Sequence, residues 1–149
     1  MIKKLVVFAL ALTAYTTVTS AQYNTGDSGL NGSLLVIDDG AKADYSAFKV
    51  EMTTTYKVTE VKITSWSTDF GMKAGDIYMV LEIGKLTNKP ADEVVKVYQA
   101  NKKKGWGAIA KELGIKPGSP EFHALKGDAD AKAKKSKGNQ KSGKAKPKK

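Results

Sequence analysis

Beyond Leu125 the chain holds no aliphatic or aromatic residue larger than alanine, and before Leu30 its one long apolar run is Leu5 to Ala14. A hydrophobic core must therefore be assembled from the residues in between. Cysteine is absent, which removes disulfides, thiolate metal sites, thiol nucleophiles and lipid attachment at a cysteine. Nothing staples the fold covalently, so its stability must come from one ordinary core of limited size.

The amino-terminal run reads as an export signal. Lys3 and Lys4 precede Leu5 to Ala14, the charged region and apolar region of a secretory signal, and Thr19-Ser20-Ala21 supplies small residues before a cut between Ala21 and Gln22. A membrane-spanning helix needs about 20 apolar residues, and Thr13, Thr16, Thr17, Thr19 and Ser20 interrupt this one too soon. The expectation is a signal peptide over 1–21, an exported product in the periplasm or secreted, and no transmembrane segment after cleavage.

The formal charge of +10 is unevenly placed. Residues 22–125 carry thirteen lysines and thirteen acids, whereas 126–149 carry ten lysines against Asp128 and Asp130. Ten minus two leaves an excess of eight positive charges in the last 24 residues. Built from Lys, Ala, Gly, Ser, Asn, Gln, Asp and Pro, this stretch lacks the apolar surface that offsets ordering entropy, and is expected to be a disordered arm. Its lysines Lys132, Lys134, Lys135, Lys137, Lys141, Lys144, Lys146, Lys148 and Lys149 are the candidate contacts to an anionic polymer or membrane surface. No arginine occurs in the chain. Lysine acts as a point charge rather than a bidentate fork, so such binding should be loose and sensitive to salt.

Between the ends, local signals predict a mainly α protein, a small helical bundle over 44–125. Tyr23 to Gly32 is rich in Gly, Asn, Asp, Ser and Thr and reads as a flexible leader. Within 22–43, Ser33 to Asp38 reads as a short strand or extended segment closed by Asp39-Gly40. Residues 45–70 carry β-favouring Val, Ile and Thr, but Thr59 as N-cap with Val58 and Ile63 in hydrophobic-staple positions favours two short helices. Ala74 to Thr87 reads as a buried-face helix with Asp76 in its first turn, followed by a helix opening at Pro90 and ending near Asn101. Trp106, Ile109, Ala110 and Leu113 recur at helical spacing, Gly114 terminates that helix, and Ser119 caps a fourth short one.

The run Gly105-Trp106-Gly107-Ala108-Ile109-Ala110-Lys111-Glu112-Leu113-Gly114-Ile115-Lys116-Pro117-Gly118-Ser119-Pro120-Glu121-Phe122-His123-Ala124-Leu125-Lys126 resembles the C-terminal signature of a family of small exported bacterial proteins. Gly71 to Tyr78 is similar as well, so the resemblance covers roughly Gly71 to Lys126. It implies export and compactness, and no activity. Ile109 to Ile115 also looks like the start of a DNA-binding helix-turn-helix, whose second helix would read bases. Pro120 and Glu121 suit a recognition helix poorly, and export removes the protein from chromosomal DNA. Trp106, flanked by glycines, either fills the core or stands exposed as a stacking platform for a glycan or peptide.

Catalytic constellations are thin. His123 is the one histidine, which excludes a two-histidine metal site, and its nearest triad partners Ser119 and Asp128 lie beside the expected arm. Asp38-Asp39 with Gly40 reads as turn chemistry, Asp92 and Glu93 point to different helix faces, and Asp38, Asp39 and Asp44 lack the spacing of a helix-loop-helix calcium loop. No cofactor is implied. The sequence supports a non-enzymatic exported interaction module with a cationic tail, its partner an envelope protein or anionic polymer. The rival is a nucleic-acid-binding module, with nucleic acid otherwise bound only non-specifically.

Overall fold

The computed structural model describes residues 23–142. The expected signal and cleavage site in 1–22, and Lys144, Lys146, Lys148 and Lys149 in 143–149, lie outside the described residues. Among the described residues there are seven α-helices and no strand: α1 Ser28–Ala43, α2 Tyr45–Tyr56, α3 Glu60–Phe70, α4 Ala74–Thr87, α5 Ala91–Asn101, α6 Trp106–Glu112 and α7 Pro120–Ser142, with a single 3-10 turn at Lys102–Lys104. The mainly α bundle expected from the sequence is what forms.

The centre of the bundle is α4, buried on every side from Ala74 to Gly84. A helix apolar all round must be enclosed, and α1, α2, α3, α5 and α7 all pack against it. Around it the local stop and start signals operate as expected. The Thr59 hydroxyl accepts from the Lys62 amide at 3.3 Å, and Ile63 is fully buried. Gly114 ends α6 at φ 101°, in the left-handed region that glycine enters without steric cost. Ser119 accepts from the Phe122 amide at 3.2 Å to open α7.

Two expectations fail, one at each end. Residues 33–38 form no strand: they lie in mid-helix in α1, and the leader 22–43 is ordered from Tyr23 onward. Consecutive Leu34, Leu35, Val36 and Ile37 mimic a strand, but Leu30, Leu34, Ile37 and Ala41 recur at spacings of four, three and four, the apolar stripe of a helix. Asp27 caps it by accepting from the Leu30 amide at 2.8 Å.

At the other end, 126–142 form no disordered arm but continue α7, whose length is 23 residues. Its seam of Leu125, Ala129, Ala133 and Ser136 packs on α1. The contact is close enough that a Cβ on Gly40 would sit 2.8 Å from the Ser136 Cβ. Short side chains let the two backbones approach, and dispersion over many short contacts replaces the bulk of larger residues. Ion pairs flank the seam: Lys126 to Asp27 at 2.8 Å, Asp128 to Lys85 at 3.3 Å, and Lys132 to Glu51.

Candidate functional site

A helix start leaves backbone N–H groups without intrahelical partners, and in two places the fold supplies those partners from far along the chain. At α4, the Gly75 amide donates to Asp38 of α1 at 2.8 Å, while Asp76 reaches back to accept from the Lys73 amide at 3.0 Å. At α6, the capping residue is Gly105, which has no side chain to offer. There the Trp106 amide donates to the Tyr23 carbonyl at 3.2 Å and the Gly107 amide to the Asn24 carbonyl at 3.0 Å. The residues immediately before α1 thus cap α6.

The glycines flanking Trp106 make this approach feasible. A Cβ on Gly107 would lie 2.9 Å from the Thr25 carbonyl oxygen, and one on Gly105 would lie 2.7 Å from the Asn24 Cβ. Tyr23 is 6% exposed, and its hydroxyl donates to Asp38 at 2.6 Å. Thr25 is held through its amide, which donates to Asn31 at 3.1 Å. Burial and the Asp38 carboxylate push the Tyr23 phenol far above its ordinary range.

Trp106 is 2% exposed, stacks on Tyr98 with centroids 5.1 Å apart, and donates its indole N–H to Asp76 at 2.8 Å. The stacking-platform reading is therefore corrected: the ring fills the core, and no face of it is open to a glycan or peptide. Asp38 is corrected too, because it lies buried in mid-helix rather than in a turn. The signal for this role was present in Tyr23, an isolated aromatic residue in an otherwise polar leader.

Three acids, Asp38, Asp76 and Glu82, are buried. Asp38 is satisfied by Tyr23 and Gly75. Burial raises Asp76 above the ordinary carboxylate range despite the indole and the Lys73 amide, and burial likewise raises Glu82, which is paired with Lys85 and bonded by Tyr56. These groups hold helices together, and Asp38 also lines a cleft bounded by Leu35, Tyr45, Met72 and Lys73. The other acid and histidine candidates have local roles or none: Asp44 caps α2 through the Ala47 amide, Ser119 caps α7 one turn before the exposed His123, and Asp128 pairs with Lys85. Among the described residues no three His, Asp or Glu side chains gather into a metal-holding set.

The helix-turn-helix-like segment is built as packing. The first helix, α6, is seven residues long, and Leu125 of α7 is fully buried with Phe122 packed partly against the core. The candidate lysines divide. Lys132 is tied to Glu51 with its ammonium over the Phe48 ring at 5.8 Å, which makes it part of the α2–α7 junction. Lys134 pairs with Asp130 within α7 at 2.8 Å. Lys135, Lys137 and Lys141 are exposed on the outer side of α7, and beyond Asp130 the sequence contains no acid. No protein-family model, curated protein or solved structure matches this chain.

Proposed function

We propose that this is an exported, non-enzymatic protein that adheres through its C-terminal lysines to anionic polymers or membrane surfaces, with the helical body serving as the platform. The observation that carries this reading is the end of α7, where Lys134, Lys135, Lys137 and Lys141 face solvent with no acid following them. A helix presents such charges at fixed spacing, and a row of like charges raises the local concentration of a polyanion without selecting its sequence. Export rests on Lys3-Lys4, Leu5 to Ala14 and Thr19-Ser20-Ala21, and on the resemblance of Gly71 to Lys126 to small exported bacterial proteins.

The test is truncation after Ser136, which keeps the buried seam and removes Lys137, Lys141, Lys144, Lys146, Lys148 and Lys149. Titrations against heparin, duplex DNA and anionic vesicles should show affinity lost for all three, with the fold retained. For DNA the dependence of log affinity on log salt should flatten by up to about 5, since each neutralised phosphate contributes about 0.9. Unchanged affinity after truncation, or a preference of more than about tenfold for one DNA sequence, would favour the nucleic-acid-binding alternative.

A further inference from the structure

The two ends of the bundle differ in charge. α7 runs parallel to α1, with Lys126 paired to Asp27 just before α1 and Ser136 against Gly40 near its close. α4 runs the other way: Gly75 in its first turn meets Asp38 in the second half of α1, and Lys85 near its end meets Asp128 early in α7. One end therefore gathers the close of α1, the start of α4 and the lysines of α7 past Ser136. The turn at Lys102–Lys104 joins that end, because the Lys102 ammonium donates at 3.2 Å to the carbonyl of Phe70, the last residue of α3. We propose that this end is a membrane-facing surface, on which Lys73, Lys102, Lys103 and Lys104 meet the headgroups of an anionic bilayer and Phe70 sits at the boundary with the acyl chains. The inference rests on the adhesion reading above and names its partner.

At the opposite end lysines are matched by acids: Lys62 with Asp92, Lys89 with Glu93, Lys85 with Asp128 and Lys126 with Asp27. Among the described residues Lys73, Lys102, Lys103 and Lys104 are exposed and enter no ion pair. The acids nearby are otherwise engaged. Asp39 pairs with Lys42 at 3.3 Å, Asp44 accepts from the Ala47 amide, Asp69 accepts from the Ser65 and Thr68 hydroxyls, and Asp76 is buried against Trp106. The basic turn is also fixed in place: the Lys102 ammonium lies 5.8 Å from the Tyr98 ring centroid, and the Lys104 carbonyl accepts from the Asn24 side chain at 3.4 Å. Phe70 beside it is 36% exposed, and Leu35, 39% exposed, lines a cleft with Lys73. Charge alone would suit any polyanion. Apolar side chains set among lysines gain most where an apolar layer lies beneath the negative charges, as it does at a bilayer interface.

The experiment binds the full chain to vesicles of mixed phosphatidylglycerol and phosphatidylcholine, to vesicles of phosphatidylcholine alone, and to heparin. Every variant carries residues 1–22, so differences between variants report this end of the bundle. Lysine acetylation, read residue by residue by mass spectrometry, should be slowed by the anionic vesicles at Lys73 and Lys102–Lys104 but not at Lys62 and Lys89. The preference for anionic over neutral vesicles should fall at least about tenfold when Lys102→Gln, Lys103→Gln and Lys104→Gln are combined, since each lysine near an anionic leaflet contributes roughly fivefold. Phe70→Ser should weaken vesicle binding and leave heparin binding unchanged. Circular dichroism melts check that each variant folds, and Lys103→Gln with Lys104→Gln, which keeps the Lys102 contact, replaces the triple variant if that one does not. Equal protection of both ends, or a lysine variant with the parent's preference, overturns the proposal; loss of binding on truncation after Ser136 would then leave the adhesion reading standing. A Phe70→Ser effect that is equal on heparin and vesicles, or absent from both, overturns the bilayer assignment in favour of a general polyanion site. Truncation without effect beside a weakened lysine variant defeats the account by the α7 lysines and supports this surface as the adhesive one.

Discussion

Trp106 does two jobs that no smaller side chain can combine. Its ring fills the space beside Tyr98, and its N–H satisfies the Asp76 carboxyl that faces it in the interior. Trp106→Ala should therefore cost about 3–5 kcal/mol, as truncation of buried aromatics does, which approaches the whole stability of a small domain. Urea denaturation followed by circular dichroism measures it, and a loss under about 0.5 kcal/mol, the range of surface changes, would contradict the burial. The same acid sets a pH dependence. Burial raises Asp76 and Glu82, so the native state holds these two protons more tightly than the unfolded chain. Their stabilisation is complete below the unfolded value of about 4 and is lost as pH rises through the raised values. Asp27, lowered chiefly by its bond to Lys126, and Asp128, lowered chiefly by Glu82 and then Lys85, act in the opposite sense and only at more acid pH. Above about pH 4.5 the acids should thus make the fold less stable as pH rises, until the raised values are passed. In Asp76→Asn the decline in urea midpoint over that range should be visibly shallower than in the parent.

The element that sequence rules misjudged most is α7. Beyond Leu125 its composition argued for disorder, because alanine buries little area. The missing information was non-local: Gly40, in a different helix, leaves room for Ser136, and Glu51 and Asp27 await Lys132 and Lys126. Ala133→Leu should overpack this crossing and cost about 1–3 kcal/mol, whereas Lys137→Ala should stay within about 0.5 kcal/mol; thermal melts of both separate the cases. Truncation after Leu125 removes Ala129, Ala133 and the three flanking ion pairs, and should lower the melting temperature sharply or abolish cooperative unfolding. Truncation after Ser136 should leave the melt nearly unchanged. By contrast α4 ran over Ala74 to Thr87 as its periodicity indicated, because a mostly apolar stretch at helical spacing with an acid in its first turn has few alternatives.

At the scale of the whole molecule, charge and packing are divided between regions. The ion pairs Lys126–Asp27 and Lys132–Glu51 belong to the fold, and among the described residues Lys134, Lys135, Lys137 and Lys141 beyond them are exposed. Raising salt from about 50 to 500 mM should release bound polyanion while helical content by circular dichroism stays constant, since the Debye length shrinks below the spacing of exposed charges but the apolar seam is unaffected. Loss of helix on release would mean that surface ion pairs alone hold α7. The sequence by itself determined the helical class, the boundaries of α4, the caps at Thr59 and Ser119, the glycine stop at Gly114, and the concentration of positive charge near the C-terminus. Each of these depends on residues within a turn or two of one another, where capping, periodicity and backbone sterics act. Only the tertiary structure decided that Tyr23 and Asn24 cap α6, that Asp38 serves α4 from within α1, and that an alanine-lined helix is held in place. Those outcomes depend on which groups meet across 37 to 99 residues of chain, and distant burial is what makes an isolated tyrosine or a mid-helix aspartate worth its place.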